Sequence, residues 1–262
     1  MNQPFTPFPD VNEILNVLLA NTKKVLEDQF VGMYLYGSLS SGDFNHETSD
    51  IDFLVVTKDL LSDKTIIELE SMHQRIWTNG MKWSAKIEGA YIPQEFIRRY
   101  DPSAPPCPTV NEGRFYVGNF GSDWIIQRHV VRECGVVLAG PDPKTLIDHV
   151  SSDDLRYSVI ESLNEWWFLL LDDPSWLQSH ECNYHGFTVI TMCRALHTLQ
   201  HGIIASKPVA AKWAQEKFGS RWSELISKAI ATQYGEKYSI LNETLDFICF
   251  TQEQVKQYQF NL

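Results

Sequence analysis

No apolar stretch in this chain approaches the roughly 18 residues that a membrane-spanning helix needs. The opening segment, MNQPFTPFPDVNEILNVLLA, holds no basic region and no small-residue cleavage signal, so the expectation is a cytoplasmic protein with no membrane partner. The five cysteines (Cys107, Cys134, Cys182, Cys193 and Cys249) are odd in number, scattered and free of any CxxC; they read as reduced cytosolic thiols, mostly core filler, and not as a disulfide framework. Basic residues are also few. Lys and Arg total 22 against 33 Asp and Glu, a net charge of −11, and the densest basic spot is FIRRY at 96–100. Chains that hold nucleic acid carry a basic stripe, so nucleic acid is not expected as a partner; an acidic surface attracts cations, either metal or a polycationic small molecule. The sequence has no internal repeat, no low-complexity segment and no GxxxxGK[ST] phosphate loop.

What is present is the balance of a globular protein, 44% hydrophobic and 21% charged over 262 residues. Asp10 and Glu13 have the spacing of a capping box for a helix over about 10–28, with Val11, Ile14, Leu15 and Leu18 on its apolar side. FVGMYLYG (30–37) and DIDFLVVT (50–57) read as strands, and KWSAKIEGAYIP (82–93) as a third. Ser62 caps a helix to about residue 78, with Ile66, Ile67, Leu69, Met72 and Ile76 inward. YDPSAPPCPTVNEG is too rich in proline for regular structure; a helix over about 121–133 and a short strand at GVVLAGPDP follow. Past residue 150 only helical periodicity remains, with Gly202 and Gly219 at helix ends and a last helix near 239–258. The pattern predicts an α/β domain of about 145 residues and a helical domain of about 115.

Asp50 and Asp52 stand out against this apolar background. Side chains at i and i+2 of a strand point to the same side, so the two carboxylates project together while Ile51 and Phe53 face the core. Paired carboxylates repel unless one is protonated or a cation lies between them. A solvated strand end with a salt bridge would satisfy them, and so would a hard divalent ion with oxygen ligands, for which Mg²⁺ is the expectation. Gly37 and Ser38, ending the preceding strand, supply a complementary half: glycine lets the backbone approach a ligand, and a serine amide and hydroxyl at a helix start can donate to phosphate. Ser49 is a second candidate for a phosphate or metal-water contact. Glu88 is the expected third carboxylate, since it stands inside a strand-like run, whereas Glu68, Glu70 and Glu95 fall on helical or exposed segments.

Gly37-Ser38, an eleven-residue gap, Asp50-Ile51-Asp52 and a later Glu88 together resemble the nucleotidyltransferase superfamily. The second half, MCRALHTLQHGIIASKPVAAKWAQEKFG (192–219), resembles the helical C-terminal domain of the aminoglycoside adenylyltransferases of the streptomycin/spectinomycin 3″/9 class, through Cys193-Arg194, Gly202-Ile203, Lys207, Ala210-Ala211 and Trp213-Ala214. The resemblance implies an α+β protein: a nucleotidyltransferase domain over 1–147, a mixed sheet with helices, then an all-α helical bundle over 148–262 that completes the ATP and acceptor cleft. It implies ATP as co-substrate and two Mg²⁺ ions held by Asp50, Asp52 and Glu88, with Glu88 also the general base. Gly37, Ser38, Ser49 and Asp123 would lie on the nucleotide side, and Arg194 and Lys207 would meet the triphosphate. The implied reaction moves AMP from ATP to a hydroxyl of a small, cationic, aminoglycoside-like acceptor, releasing pyrophosphate, in a monomeric enzyme.

This chain departs from the family at the acceptor end. Leu170 aligns where streptomycin users carry a tryptophan, the acidic positions fall near Ser175 and Tyr184-His185, and a family GEW stretch has only VGNFGSDW as its nearest counterpart. His180, Cys182 and His185 hint at a metal but are short of ligands; a loop lining the acceptor site is the preferred reading. Trp166 and Trp176 are candidates for stacking on substrate. Two rival functions stand beside the leading one: the same transfer onto a protein or RNA acceptor, and a non-catalytic nucleotide-binding module.

Overall fold

The structure, a computed structural model, describes residues 4–111 and 113–259. The chain divides into two compact units, Met1–His149 and Val150–Leu262. The first opens with helix α1 (Pro9–Leu26). Its N-cap is Phe8, not Asp10: Pro9, with φ already set and no N–H to leave orphaned, takes the first helical position and moves the start two residues forward of the expected cap. Asp10 therefore lies inside the first turn, its carboxylate released from capping.

A 3₁₀ turn leads into β1 (Phe30–Leu35), then the single-turn helix α2 (Gly37–Ser41) and β2 (Ile51–Thr57). Helix α3 (Asp63–Trp77) is capped by Ser62, whose hydroxyl accepts from the Thr65 N–H at 3.2 Å. Its inner face is Leu69, Met72, His73 and Ile76; Ile67 is 61% exposed and faces outward, because the inward stripe advances through i+3 and i+4 from Leu69. A 3₁₀ turn at Ser84–Lys86 delays β3 to Ile87–Pro93, so Trp83 precedes the strand. After the short helix α4 (Gln94–Arg98) the proline-rich segment does form structure: β4 (Cys107–Asn111) pairs with β5 (Arg114–Gly118). Pro108 is tolerated because β4 bonds to β3 only at Thr109 and Val110, so no ladder bond on that side is lost at the proline. Helix α5 (Trp124–Cys134) and β6 (Val136–Ala139) complete the unit.

The six strands form one mixed sheet, ordered β5-β4-β3-β2-β1-β6, in which β2 and β3 run parallel and their neighbours antiparallel. One face buries Leu35, Phe53, Ile87 and Tyr91 against α1 and α3. The other buries Tyr34, Leu54, Val56 and Ile92 with Ile97 and Val131.

The second unit holds helices only, among the described residues: α6 (Ser152–Ser162), a π-helical turn at Leu163–Trp167, α7 (Leu169–Asp172), α8 (Ser175–Ser179), α9 (Cys182–His201), α10 (Lys207–Phe218), α11 (Ser220–Thr232) and α12 (Leu241–Gln259). Buried on most of its circumference, α9 is the axle against which α6, α10, α11 and α12 pack. Gly202 and Gly219 close α9 and α10, as expected. No helix among the described residues is long and apolar enough to cross a membrane.

Candidate active site

The sheet register builds an acidic row. Tyr36, one residue past β1, donates its N–H to the Asp52 carbonyl at 3.1 Å. Asp52 stands opposite Glu88 in the parallel β2·β3 pair, and the pairings Gly89↔Val110 and Asn111↔Arg114 carry the row through β4 to β5. Residues paired across strands share a face. Tyr36, Asp52, Glu88 and Asn111 therefore line up on the side of Leu54 and Val56, where each strand has just begun or ended. Asp52 and Glu88 are half-buried. Asp50, also half-buried and immediately before β2, falls on the same side as Asp52.

Gly37 is the tight point of this assembly. It opens α2 at φ +63°, and a Cβ there would lie 1.9 Å from Asp52 Oδ2. Only glycine lets the backbone pass this carboxylate. Asn111, with its amide oriented by hydrogen-bond chemistry, donates to both oxygens of Glu88 at 3.1 Å, fixing the carboxylate's plane. The local electrostatics register the accumulated charge. Tyr36 is buried, and its hydroxyl is pushed well above the usual tyrosine range, first by burial and then by the charges of Asp52, Glu88 and Asp123. Tyr116 on β5 is pushed up the same way by burial, Glu88 and Asp123.

The remaining predicted positions of this unit lie close by in sequence and fold. Ser38 follows Gly37 in α2, and its carbonyl accepts from Asp43 N–H at 3.1 Å, closing that turn. Ser49 Oγ accepts from Asn45 N–H at 3.0 Å, so part of its hydrogen-bonding capacity shapes the loop ahead of Asp50. Asp123 immediately precedes α5, is exposed, and is near enough to act on Tyr36 and Tyr116. A cavity of about 530 Å³ between α3 and β5 is lined by Glu70, Trp77, Asn111, Arg114 and Tyr116 among others; it meets this row at its β4–β5 end.

The chemistry of the row suits a hard divalent ion: carboxylate oxygens on one side of adjacent strand ends, with no thiolate or imidazole among them. Among the described residues, no three His, Cys, Asp or Glu side chains are gathered into a ready ligand cluster. What the backbone fixes is the adjacency of Asp52 and Glu88 and the side they share. Sequence reading missed Tyr36, Asn111 and Tyr116. Tyr36 could have been flagged by its place before Gly37-Ser38, whereas Asn111 lay in a strand hidden by the prolines and Tyr116 in the short strand that pairs with it.

In the helical unit, Arg194 projects from the middle of α9 and donates through Nε to the Ala205 carbonyl at 3.2 Å. Lys207 begins α10, two residues beyond that carbonyl, with its ammonium 5.4 Å from the centre of the Phe187 ring on α9. The two cations thus flank the same α9–α10 turn. His180 donates from Nδ1 to the Trp176 carbonyl (2.6 Å) and His185 from Nε2 to that of Leu177 (2.8 Å). Residues 182–185 belong to α9 and not to a loop. Leu170 is 4% exposed and part of the core, whereas Trp166, on the π-helical turn, is 45% exposed and meets Trp176 edge-on at 5.6 Å.

Comparison with known proteins agrees with these two halves. Residues 19–87 match the family model described as a nucleotidyltransferase domain, and residues 145–255 that of the aminoglycoside adenylyltransferase C-terminal domain. A spectinomycin 9-adenylyltransferase from Enterococcus faecalis is 24% identical, covering 91% of this chain and 92% of its own. An aminoglycoside (3″)(9) adenylyltransferase from Escherichia coli is 27% identical, covering 90% of each. Among solved structures, an Enterococcus spectinomycin adenyltransferase with ATP and spectinomycin has the same fold, with a TM-score of 0.73 at 22% identity over 93% of this chain and 98% of that one.

Proposed function

We propose, for a chain that belongs to the nucleotidyltransferases and carries the C-terminal domain of the aminoglycoside adenylyltransferases, that it transfers AMP from ATP to a hydroxyl of an aminoglycoside or aminocyclitol. The observation that carries the reading is Asp52, set against Gly37 and opposite Glu88 in a parallel strand pair. The relatives named for spectinomycin and aminoglycoside adenylylation, matched along nine-tenths of their length, support the acceptor class. The net charge of −11 is in keeping with a cationic acceptor.

In this reading Asp50, Asp52 and Glu88 hold Mg²⁺, which when bound neutralises triphosphate charge and orients its oxygens. Gly37, Ser38 and Ser49 present backbone and hydroxyl donors to phosphate, and Asp123 lies on the nucleotide side. Glu88 accepts the proton of the acceptor hydroxyl as that oxygen bonds to the α-phosphorus. The bond to the β-phosphate oxygen breaks in line, and pyrophosphate departs with the electron pair. Asn111, by donating to both Glu88 oxygens, keeps the base turned toward its task. Arg194 and Lys207 are the cations assigned to the triphosphate, worth most on the leaving pyrophosphate, where negative charge grows. Trp166, exposed where Leu170 is buried, is the aromatic available to an acceptor ring.

The test is incubation with α-labelled ATP, Mg²⁺ and a panel of acceptors that includes spectinomycin and streptomycin, reading label transfer and pyrophosphate. Labelled drug is the expected product. Pyrophosphate with label on protein instead would replace the acceptor, and no pyrophosphate with any acceptor would remove the drug-modifying reading.

A further inference from the structure

Asp10 sits in the first turn of α1, far in sequence from the acidic row, yet its carboxylate is the meeting point of both segments that lead into it. Oδ1 takes the His46 Nε2 at 3.3 Å, across 36 residues. Oδ2 accepts from Lys82 Nζ at 2.8 Å and from the Trp83 indole N–H at 3.1 Å, across 72 and 73 residues. His46 belongs to the loop that delivers Asp50, and Trp83 to the turn that delivers Glu88. Aromatic packing closes the same junction: Phe44 and His46 from the loop meet Trp83 at 5.3 and 5.6 Å, and Phe8 caps both loop rings at 4.9 and 4.8 Å. Lys86 adds a direct strap, its ammonium donating to the Glu47 carbonyl at 3.0 Å. From there the loop is stiff to its end, since Asn45 and Ser49 exchange two hydrogen bonds, Asn45 N–H to Ser49 Oγ and Ser49 N–H to the Asn45 carbonyl.

We propose that Asp10 is a positioning residue for the metal-binding carboxylates: by holding His46 and Trp83 on one side chain, it sets the register of the Asp50 loop against the Glu88 strand. The inference rests on the reading of Asp50, Asp52 and Glu88 as metal ligands, and adds a partner that touches neither metal nor substrate. A helix cap would need Asp10 to serve only α1. Instead its only contact within the helix is with the adjacent Val11 N–H, and its other partners come from the two delivering segments. The carboxylate is held in its charged form well below the usual range, chiefly by Lys82 and then by Trp83, so the clamp stays closed across neutral pH. Residues outside the ligand set that orient ligands characteristically change metal affinity by about 10–100-fold when removed.

The test is Mn²⁺ binding to the free full-length chain, followed by electron paramagnetic resonance, beside thermal melting. Asp10→Ala and His46→Ala are each expected to weaken Mn²⁺ binding about 10-fold, with the double variant no weaker than Asp10→Ala, and with Asp10→Glu recovering part of the loss. Ser62→Ala, which only uncaps α3, should lower Tm and leave the Mn²⁺ affinity in place. His46 is on the surface, so its variant folds even should Asp10→Ala not. Parent protein that binds Mn²⁺, with Asp10→Ala and His46→Ala binding it within about two-fold of parent, overturns the positioning role alone. Parent protein that binds no Mn²⁺ overturns the metal reading, and this inference with it.

Discussion

Replacing Gly37 with alanine separates the stability of this fold from its chemistry. The new methyl would lie 1.9 Å from Asp52 Oδ2 and 2.7 Å from Asp52 Cγ, where a relaxed contact is about 3.5 Å, so the carboxylate must swing by roughly 1.5 Å. The group that yields is the end of a side chain and not backbone, which limits the damage to folding. The cost in stability is then mainly that of alanine at φ +63°, about 1–2 kcal/mol, or a fall in Tm of about 2–8 °C. The cost in activity is different in kind, because a displacement of about 1 Å at a reacting centre lowers rates about 100-fold. Gly42→Ala is the matched control: φ is +81°, and nothing lies within 4 Å of the added carbon. Both variants should lose similar Tm in scanning calorimetry, and only Gly37→Ala should lose label transfer from ATP. Equal kcat/KM in the two variants would refute the argument that Gly37 exists to admit Asp52.

Glu88→Gln and Asp52→Asn should each cut transfer by about 100-fold or more while holding or raising the Tm of the metal-free protein, since each removes one of two facing carboxylates; calorimetry and pyrophosphate release read the pair. Arg194→Ala and Lys207→Ala should raise KM for ATP and lower kcat together in steady-state assays, with no change in Mn²⁺ affinity. Chelation with EDTA should stop transfer, and added Mg²⁺ should restore it. The fold itself has an acid-sensitive point at His73, 0% exposed, whose Nε2 pairs with the Tyr91 hydroxyl at 2.8 Å and whose pKa is lowered by burial to about 3. A folded-state value below the unfolded one means the unfolded chain takes up the proton first, so stability is full above about pH 6.5 and declines as pH falls. The loss between pH 7 and pH 5 should be about 2 kcal/mol in urea unfolding, and His73→Phe should remove that share of the slope.

The carboxylates of the candidate site are legible where local pattern and local structure coincide. Asp50 and Asp52 announce themselves by strand alternation, and Glu88 by being the charged residue in an apolar strand; the register then sets it opposite Asp52. Asp10 shows the opposite case. Its spacing to Glu13 has the form of a cap, while all its partners but the adjacent Val11 N–H lie 36 to 73 residues away and leave no mark on the neighbouring sequence. The β4–β5 hairpin was hidden because proline is normally a strand breaker, and only the pairing to β3 shows why Pro108 is harmless. In the helical unit the long helices followed from periodicity, but the π-helical turn that exposes Trp166 did not, since one extra residue per turn has no compositional signature.

The parallel pairing of β2 with β3 has a consequence for how the protein is made. An antiparallel pair can close through a tight turn, but a parallel pair must wait for a crossover, here the whole of α3 and the Trp83 turn. Asp52 and Glu88, 36 residues apart, therefore become neighbours only after that crossover docks, and non-local contacts of this kind form late in a folding reaction. A nascent or partly refolded chain can display Gly37, Ser38 and Asp52 on an early hairpin and still have no site. What arrives in one step, with the helix that brings β3 beside β2, is the facing of the two carboxylates.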